Sequence, residues 1–200
     1  MDNTVYVRTY DAPPWDRKAI LRYAGIRGSA PEIDALLDEC LGEVSGKLSY
    51  KICYREFPLR QCGEEFDLGF MRSASRSLER HLSGCRSIVV FAATVGILLD
   101  RLIARYAAIS QTKALLLGAI GAERVESLCD VFCREISLEK AAEGYKTRPR
   151  FSPGYGDLPL GMQREIFAVL DCPRRIGLTL GDSLLMSPSK SVTAIIGVDK

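Results

Sequence analysis

Three observations in the 200-residue sequence predict an α+β domain. Apolar residues recur at helical spacing over long stretches, above all between residues 112 and 141. Leu48–Phe57 (LSYKICYREF) and the apolar run Ile88–Ala93 carry the residue types of strands. Strand-like pieces do not alternate evenly with helices, and three of them crowd the C-terminal end, which argues against a repeated βαβ unit.

In chain order, residues 1–14 read as an extended lead-in stopped by Pro13-Pro14. A short helix is expected from Asp16 to Tyr23, ending near Gly25. A second opens at Pro31 and places Ile33, Leu36, Leu37, Cys40, Leu41 and Val44 on one face. The strand Leu48–Phe57 follows. A helix is then expected over Ser73–Leu82, closed by Gly84. Ile88–Ala93 is apolar without alternation, as a strand buried on both faces would be. Thr94-Val95-Gly96 turns the chain into a helix from Ile97 to about Ala108.

The long helix from about Thr112 to Ala141 carries an apolar stripe of Gly121, Val125, Leu128, Phe132 and Ile136. Beside it runs a stripe of small residues, Ala122, Cys129 and Cys133, with Glu126 among them at the same spacing. Met162–Leu170 reads as a short amphipathic helix. Arg175–Leu180, Ser183–Met186 and Ser191–Val198 read as strands. No internal repeat or low-complexity linker is present.

Composition removes several function classes. Apolar residues make up 47% and charged residues 26%, an ordinary globular mixture. Lys plus Arg number 27 against 25 acids, so no strong field draws in nucleic acid. The cluster Lys146-Thr147-Arg148-Pro149-Arg150 and the pair Arg174-Arg175 are too short for a polyphosphate track and read as solvated rim, Arg150 excepted. The longest apolar run, Ile88–Leu99, is too short to cross a bilayer. No signal-peptide core stands at the start, so a soluble cytoplasmic protein is expected. The seven cysteines are odd in number and form no CxxC, which favours reduced thiols over a disulfide framework. Cys129 and Cys133 stand four apart without a second pair or a nearby histidine, so they read as buried small residues and no metal site is expected.

One histidine, His81, is all that a triad or a Cys-His pair could use, and it reads as a helix-end residue. GxSxG, GxGxxG after a strand and GxxxxGK[ST] are all missing. Gly118-Ala-Ile-Gly121 lies inside a helix, where close packing of a neighbour is the plain reading. Glu64-Glu65 is ordinary at a turn. Acid–base chemistry is not written in these residues.

The segment RPRFSPGYGDLPLG, Arg148–Gly161, is unlike the rest. Pro149 and Pro153 fix φ, and Gly154 permits conformations closed to other residues. An ordered loop presenting backbone groups to a ligand is the expected result. Arg150 offers a planar fork for a carboxylate, and Tyr155 offers a π face for a cation or an adenine ring. The plainer alternative is a rigid loop whose arginine pairs with a neighbouring acid.

The segment resembles the RxxxGY signature of the activation domain of cobalamin-dependent methionine synthase, which binds S-adenosylmethionine. Downstream, LGMQREIFAVLD resembles that family's helix after the loop. GLTLGDSLLMSPSKSV resembles its pattern LT-x-S-x-x-M-x-P-x-x-SV through Leu178-Thr179, Ser183, Met186, Pro188 and Ser191-Val192, with two extra residues between Thr179 and Ser183. Upstream, FAATVG and VESLCD resemble segments of stand-alone members. The likeness covers Ser87–Val198 well and the first half loosely. It implies a single activation-like domain over residues 1–200, with 87–200 as the S-adenosylmethionine-binding half and 1–86 as a variable half that docks a partner. The implied fold is a twisted antiparallel sheet flanked by helices.

Residue by residue, the resemblance carries cofactor contacts onto Arg150, Gly154 and Tyr155, a backbone contact onto Ser152, and a helix carboxylate contact onto Glu126. The plain reading of Glu126 is a half-buried acid paired with Arg124 or with Arg150 itself. The family loop continues GYPxCP, whereas this chain reads Gly156-Asp157-Leu158-Pro159. A family aspartate from an early strand has no match, and a family tyrosine would fall beyond Lys200. The implied activity is reactivation: one electron from a flavodoxin or ferredoxin and a methyl from S-adenosylmethionine convert inactive cob(II)alamin to methylcobalamin. No DxHxxG motif for cobalamin is present, so the resemblance implies action in trans on a separate methionine synthase or corrinoid protein. The chain then has no catalytic residue of its own and is not complete as an enzyme. The alternatives are a non-catalytic module that keeps the fold and senses S-adenosylmethionine, and an independent methyltransferase for a small acceptor.

Overall fold

The computed structural model describes residues 4–200 apart from Ser29 and Glu64. The Glu64-Glu65 pair and the first three residues of the lead-in therefore lie partly or wholly outside the described residues.

Strand β1 (Tyr6–Tyr10) is followed by two helices, α1 (Arg17–Tyr23) and α2 (Pro31–Val44). The Asp16 carboxylate caps α1 by accepting from the Ala19 N–H, and Pro31 at the first turn opens α2. Next come β2 (Tyr50–Pro58) and three short strands, β3 (Arg60–Cys62), β4 (Glu65–Asp67) and β5 (Arg72–Ser73). Helix α3 (Arg76–Leu82) leads to β6 (Ser87–Thr94), α4 (Leu98–Ala107) and the 32-residue α5 (Gln111–Ala142). Strand β7 (Lys146–Phe151), α6 (Gln163–Leu170) and α7 (Cys172–Ile176) precede the small hairpin β8 (Thr179–Leu180) and β9 (Met186–Ser187), and β10 (Ser191–Asp199) ends the fold.

Five strands form one antiparallel sheet in the order β1-β2-β6-β10-β7. The period of two along β6 explains its uninterrupted apolar run. Val89, Phe91 and Ala93 face a core shared with α1, α2, α4 and α5, while Ile88, Val90 and Ala92 face a second core under α3, α6 and α7. Both faces are covered, so neither set of positions can be polar. Phe91 and Phe132 are fully buried with ring centroids 4.9 Å apart, a contact worth about 0.5–1.5 kcal/mol beyond their burial. It fixes α5 across the sheet. The expected α+β class and the antiparallel sheet flanked by helices are the fold observed.

Several local expectations are corrected. The strands are not gathered at the C-terminal end, because β1, β2 and β6 supply three of the five in the main sheet. Arg175-Ile176 is helical: Pro173 starts α7 and Gly177, with φ of +69°, closes it. The helix expected from Ser73 begins at Arg76, since the Ser75 hydroxyl caps it by accepting from the Leu78 N–H. The sheet of β3, β4 and β5 was not foreseen, because its strands are short and mostly exposed and leave no alternating pattern.

The basic cluster Lys146–Arg150 lies on edge strand β7, with Lys146 and Arg148 exposed as the expected solvated rim. Ile196 pairs with Arg150 but Val198 pairs with Thr147, so Arg148 and Pro149 together oppose Gly197 in a bulge. A proline is tolerated there because a bulge leaves its missing N–H unneeded. Gly197 is required on the facing side, where a Cβ would lie 2.7 Å from the Cys85 Sγ. At Gly121 a Cβ would lie 3.0 Å from Leu99 Cδ1 and 2.6 Å from Lys190 Cγ, the close packing expected inside α5. All seven cysteines are free. No helix among the described residues is long and apolar enough to cross a membrane.

Candidate functional site

The end of β7 opens a cleft. Pairing between β7 and β10 stops at Phe151 opposite Ile195, while β10 runs on to Ser191 against β6. The β10 edge from Ser191 to Thr193 therefore borders open space, which the loop after β7, the start of α6 and the β8–β9 hairpin enclose. The resulting cleft has a volume of about 280 Å³.

Arg150 enters it from the α5 face. Its Nη2 meets Glu126 Oε2 at 2.5 Å and its Nη1 meets Asp130 Oδ1 at 2.8 Å. The plainer alternative, an arginine paired with neighbouring acids, is therefore the arrangement observed, and the cleft lies beside that pair. Burial opposes the charge on Arg150, but Cys129, Glu126 and Asp130 around it outweigh that and hold its pKa above the usual arginine range. Burial pushes the Cys129 thiol well up, so at neutral pH the two carboxylates are the anions facing the guanidinium. The three charges leave this mouth of the cleft with a net charge of −1, matched to a ligand that brings a cation.

The loop itself is held by its own backbone. Gly154 N–H donates to Leu158 O at 2.9 Å, Leu158 N–H to Tyr155 O at 3.0 Å, and Tyr155 N–H to Ser152 O at 3.2 Å. Pro153 and Leu158 are buried under it, and Gly154 takes φ of +92°. Tyr155 stands at the rim with 66% of its surface exposed. Of the residues predicted from the sequence, Glu126, Arg150, Ser152 and Tyr155 line the cleft together, with Met186, Ser191 and Val192 from the downstream pattern. Gly154 shapes the turn from behind.

Asp157, where the family loop differs, does a different job. Its carboxylate accepts from the Ser75 hydroxyl at 2.5 Å and from the backbone N–H groups of Arg76 and Ser77 at 2.9 and 3.0 Å. The loop is thus pinned to the start of α3. These bonds hold the Asp157 carboxyl below the usual carboxylate range. A depressed pKa adds stability at pH values above the unfolded-state value near 4, and that contribution fades as pH falls below it. In thermal melts between pH 6 and pH 3, Asp157→Asn is expected to lose less stability than the wild type. Gly156 has φ of +57° and a Cβ there would lie 2.5 Å from the Ser77 Oγ. Gly156→Ala is expected to lower stability by about 1–3 kcal/mol, measured by urea unfolding.

A second opening of about 450 Å³ lies behind the loop, lined by Arg72, Ser75, Asp157 and Glu165. It is larger, but its buried hydroxyls are already bonded, Ser75 to Asp157 and Ser73 to the Ser75 N–H.

Sequence reasoning missed three groups. Gln163 and Thr193 line the cleft and are 5% and 2% exposed, and among the described residues neither Gln163 Oε1 nor Thr193 Oγ1 has a hydrogen-bond partner. Nothing in their neighbours marked them, since each looks like an ordinary polar residue at an element end. His81 is the third. Its Nε2 lies 2.6 Å from Pro149 O, and a carbonyl can only accept, so that nitrogen carries the proton. Its ring also lies 5.0 Å from that of Phe151. The lone histidine thus braces the strand that carries Arg150. Among the described residues no cluster of three or more His, Cys, Asp or Glu side chains is placed to hold a metal.

Fold and cleft define an α+β domain with a cleft of mixed polar and apolar lining at the free edge of an antiparallel sheet. No protein-family model matches the chain, and no curated protein does. Among solved structures, it is similar to the MetH reactivation domain, crystallised bound to AdoHcy. The TM-score is 0.68 at 18% identity, and the match covers 97% of this chain and 78% of that one. The expected methionine synthase activation-domain-like fold is the fold of this chain.

Proposed function

We propose that this protein binds S-adenosylmethionine in the cleft and supports reductive methylation of cob(II)alamin carried by a separate methionine synthase or corrinoid protein. One observation carries the reading. Arg150, Glu126 and Tyr155, which the resemblance assigns to the cofactor, converge on one cleft of the same fold. When bound, the cofactor supplies a methyl group on an already activated sulfonium. The protein's own residues then bind and orient. The Arg150 fork takes the cofactor's carboxylate, and Glu126, released from Arg150, takes its ammonium. A zwitterion thus replaces an internal ion pair charge for charge, and no buried charge is left unpaired. The Tyr155 ring covers the mouth, and holding the methyl in line lowers the barrier by positioning rather than by proton transfer.

The absence of a DxHxxG motif supports placing the cobalamin on a partner. The chain's one histidine stands outside any DxHxxG motif and turns its Nε2 to Pro149 O, where it braces β7. The corrin belongs to the partner, and a reduced flavodoxin or ferredoxin is the proposed electron source. The test is spectroscopic. Mixed with a corrinoid protein in the cob(II)alamin state, the reduced donor and S-adenosylmethionine, the protein is expected to restore the methylcobalamin absorbance. Omission of the protein or of the cofactor should abolish the change, and the isolated chain should not methylate homocysteine. Restoration without the protein would remove the proposed role.

A second reading is favoured by the double acidic grip on Arg150. A module that only senses S-adenosylmethionine would use that exchange of ion pairs as its signal. Binding without any effect on a corrinoid partner would select it.

A further inference from the structure

We propose that Gln163 and Thr193 read the amino edge of an adenine at the end of the cleft opposite Arg150. The inference rests on the S-adenosylmethionine reading and adds which part of the ligand each end recognises. Arg150 lies on the α5 side of the sheet, bonded to Glu126. Thr193 alternates with Ala194 and shares a face with Ile195, which packs in the core under α6, and Gln163 opens α6 on that side. Charged and uncharged polar groups are therefore separated across the sheet edge. An extended nucleoside amino acid has the same polarity along its length.

The two oxygens stand out because the polar group beside them is satisfied. The Ser191 hydroxyl lies 2.8 Å from both Thr94 Oγ1 and Pro188 O, which uses its one proton. Gln163 Oε1 and Thr193 Oγ1 are equally buried, and no described group bonds them. Buried polar atoms of this kind are rare because each costs free energy until it is paired. Phe151, Pro153, Met186 and Val192 supply apolar surface between the two ends, suited to a flat ring. A ring held there carries its polar atoms on its edge. The adenine amine can donate to the Gln163 carbonyl, and the Thr193 hydroxyl can donate to a ring nitrogen, the pairing that a glutamine amide makes with adenine elsewhere. Hypoxanthine turns that amine into a carbonyl and would place two acceptors face to face.

The test is calorimetric titration of S-adenosylhomocysteine and of its inosine counterpart into the wild type, Gln163→Leu, Thr193→Val and Arg150→Ala. The wild type is expected to prefer the adenosyl compound by roughly 10- to 100-fold. Gln163→Leu should weaken that compound by a similar factor and bring the two nucleosides within about threefold, with Thr193→Val intermediate. Arg150→Ala should weaken both and leave their ratio unchanged. The unliganded Gln163→Leu and Thr193→Val proteins should melt at or above the wild-type temperature, since each replaces an unpaired buried oxygen by carbon. Variants that melt lower and still distinguish the nucleosides would assign these residues a structural role only and overturn the inference. Loss of the Gln163 effect with a 2′-deoxy analogue would place a ribose there instead and overturn it too. A wild type that binds neither compound would remove the S-adenosylmethionine reading itself.

Discussion

Arg150→Ala is expected to weaken S-adenosylmethionine binding by about 30- to 150-fold, the loss of a charged, two-pronged hydrogen bond worth about 2–3 kcal/mol. The substitution removes the only cation lining the cleft among the described residues and leaves the ligand's carboxylate near Glu126 and Asp130 with no cation to meet it. Attraction becomes repulsion, so the effect sits at the upper end for a partly exposed site. The fold should tolerate the change, because Glu126 and Asp130 are 40% and 66% exposed and water can solvate them. Arg150→Lys should recover only part of the loss, since an ammonium is a point charge without the planar fork. Asp130→Asn moves the other way. Asp130 grips Arg150 but does not line the cleft, so its neutralisation frees the fork without deleting a ligand contact. The pair is exposed and worth at most about 1 kcal/mol, which sets an expected gain of roughly two- to fivefold in affinity. Calorimetry on the three variants separates these outcomes. An unchanged affinity in Arg150→Ala would take the cofactor away from this cleft.

Part of the site was legible because its residues are defined by backbone needs. Pro149 suits only an edge strand or a bulge, Gly154 holds φ of +92°, and the arginine and tyrosine between and after them then project from an ordered segment. Helical spacing set Glu126 among small residues and the family resemblance assigned it to the site, and its exposed neighbour Asp130 lies one further turn along the same side of α5. The competing reading of a locked arginine was also legible, and the structure shows that lock and cleft coexist. Gln163 and Thr193 were not legible, because what distinguishes them is the absence of a partner. That depends on where β7 stops pairing with β10, and hence on long-range register. Helices α1, α2, α4 and α5 were readable from local spacing and caps. The sheet order was not, since β10 inserts between β6 and β7 across gaps that no local pattern spans. Asp157 was read as a departure from the family loop. Its role as an anchor to α3 required knowing that α3 begins beside it.

The largest stability effect is expected far from the cleft, at Arg124. This arginine is completely buried, an unusual place for a charge. Its Nε and Nη2 meet the Glu123 carboxylate, Nη1 meets Pro13 O at 2.5 Å, and Nη2 meets Pro14 O at 2.8 Å. The Trp15 ring lies over it at 4.0 Å. Glu123 also accepts from Ser127 Oγ at 2.7 Å and from the Asp16 N–H at 3.3 Å. The pair thus fastens the Pro13–Asp16 segment, and with it the start of α1, onto α5. Arg124→Ala leaves a buried carboxylate and two proline carbonyls without their donor. The expected loss is about 3–5 kcal/mol, or roughly 6–20 °C in melting temperature for a chain of this size. Removing both charges, as in Glu123→Gln with Arg124→Met, should restore part of that, because the stranded charge is the costly element and only the carbonyls remain unpaired. Trp15 is the one tryptophan, so its fluorescence reports the clamp directly and should shift to the red in the single variant. S-adenosylmethionine affinity, measured well below the melting point, should stay within about twofold, since none of these groups lines the cleft. A single variant that melts like the wild type would show that the buried pair contributes no net stability, and that apolar packing alone holds the N-terminal segment in place.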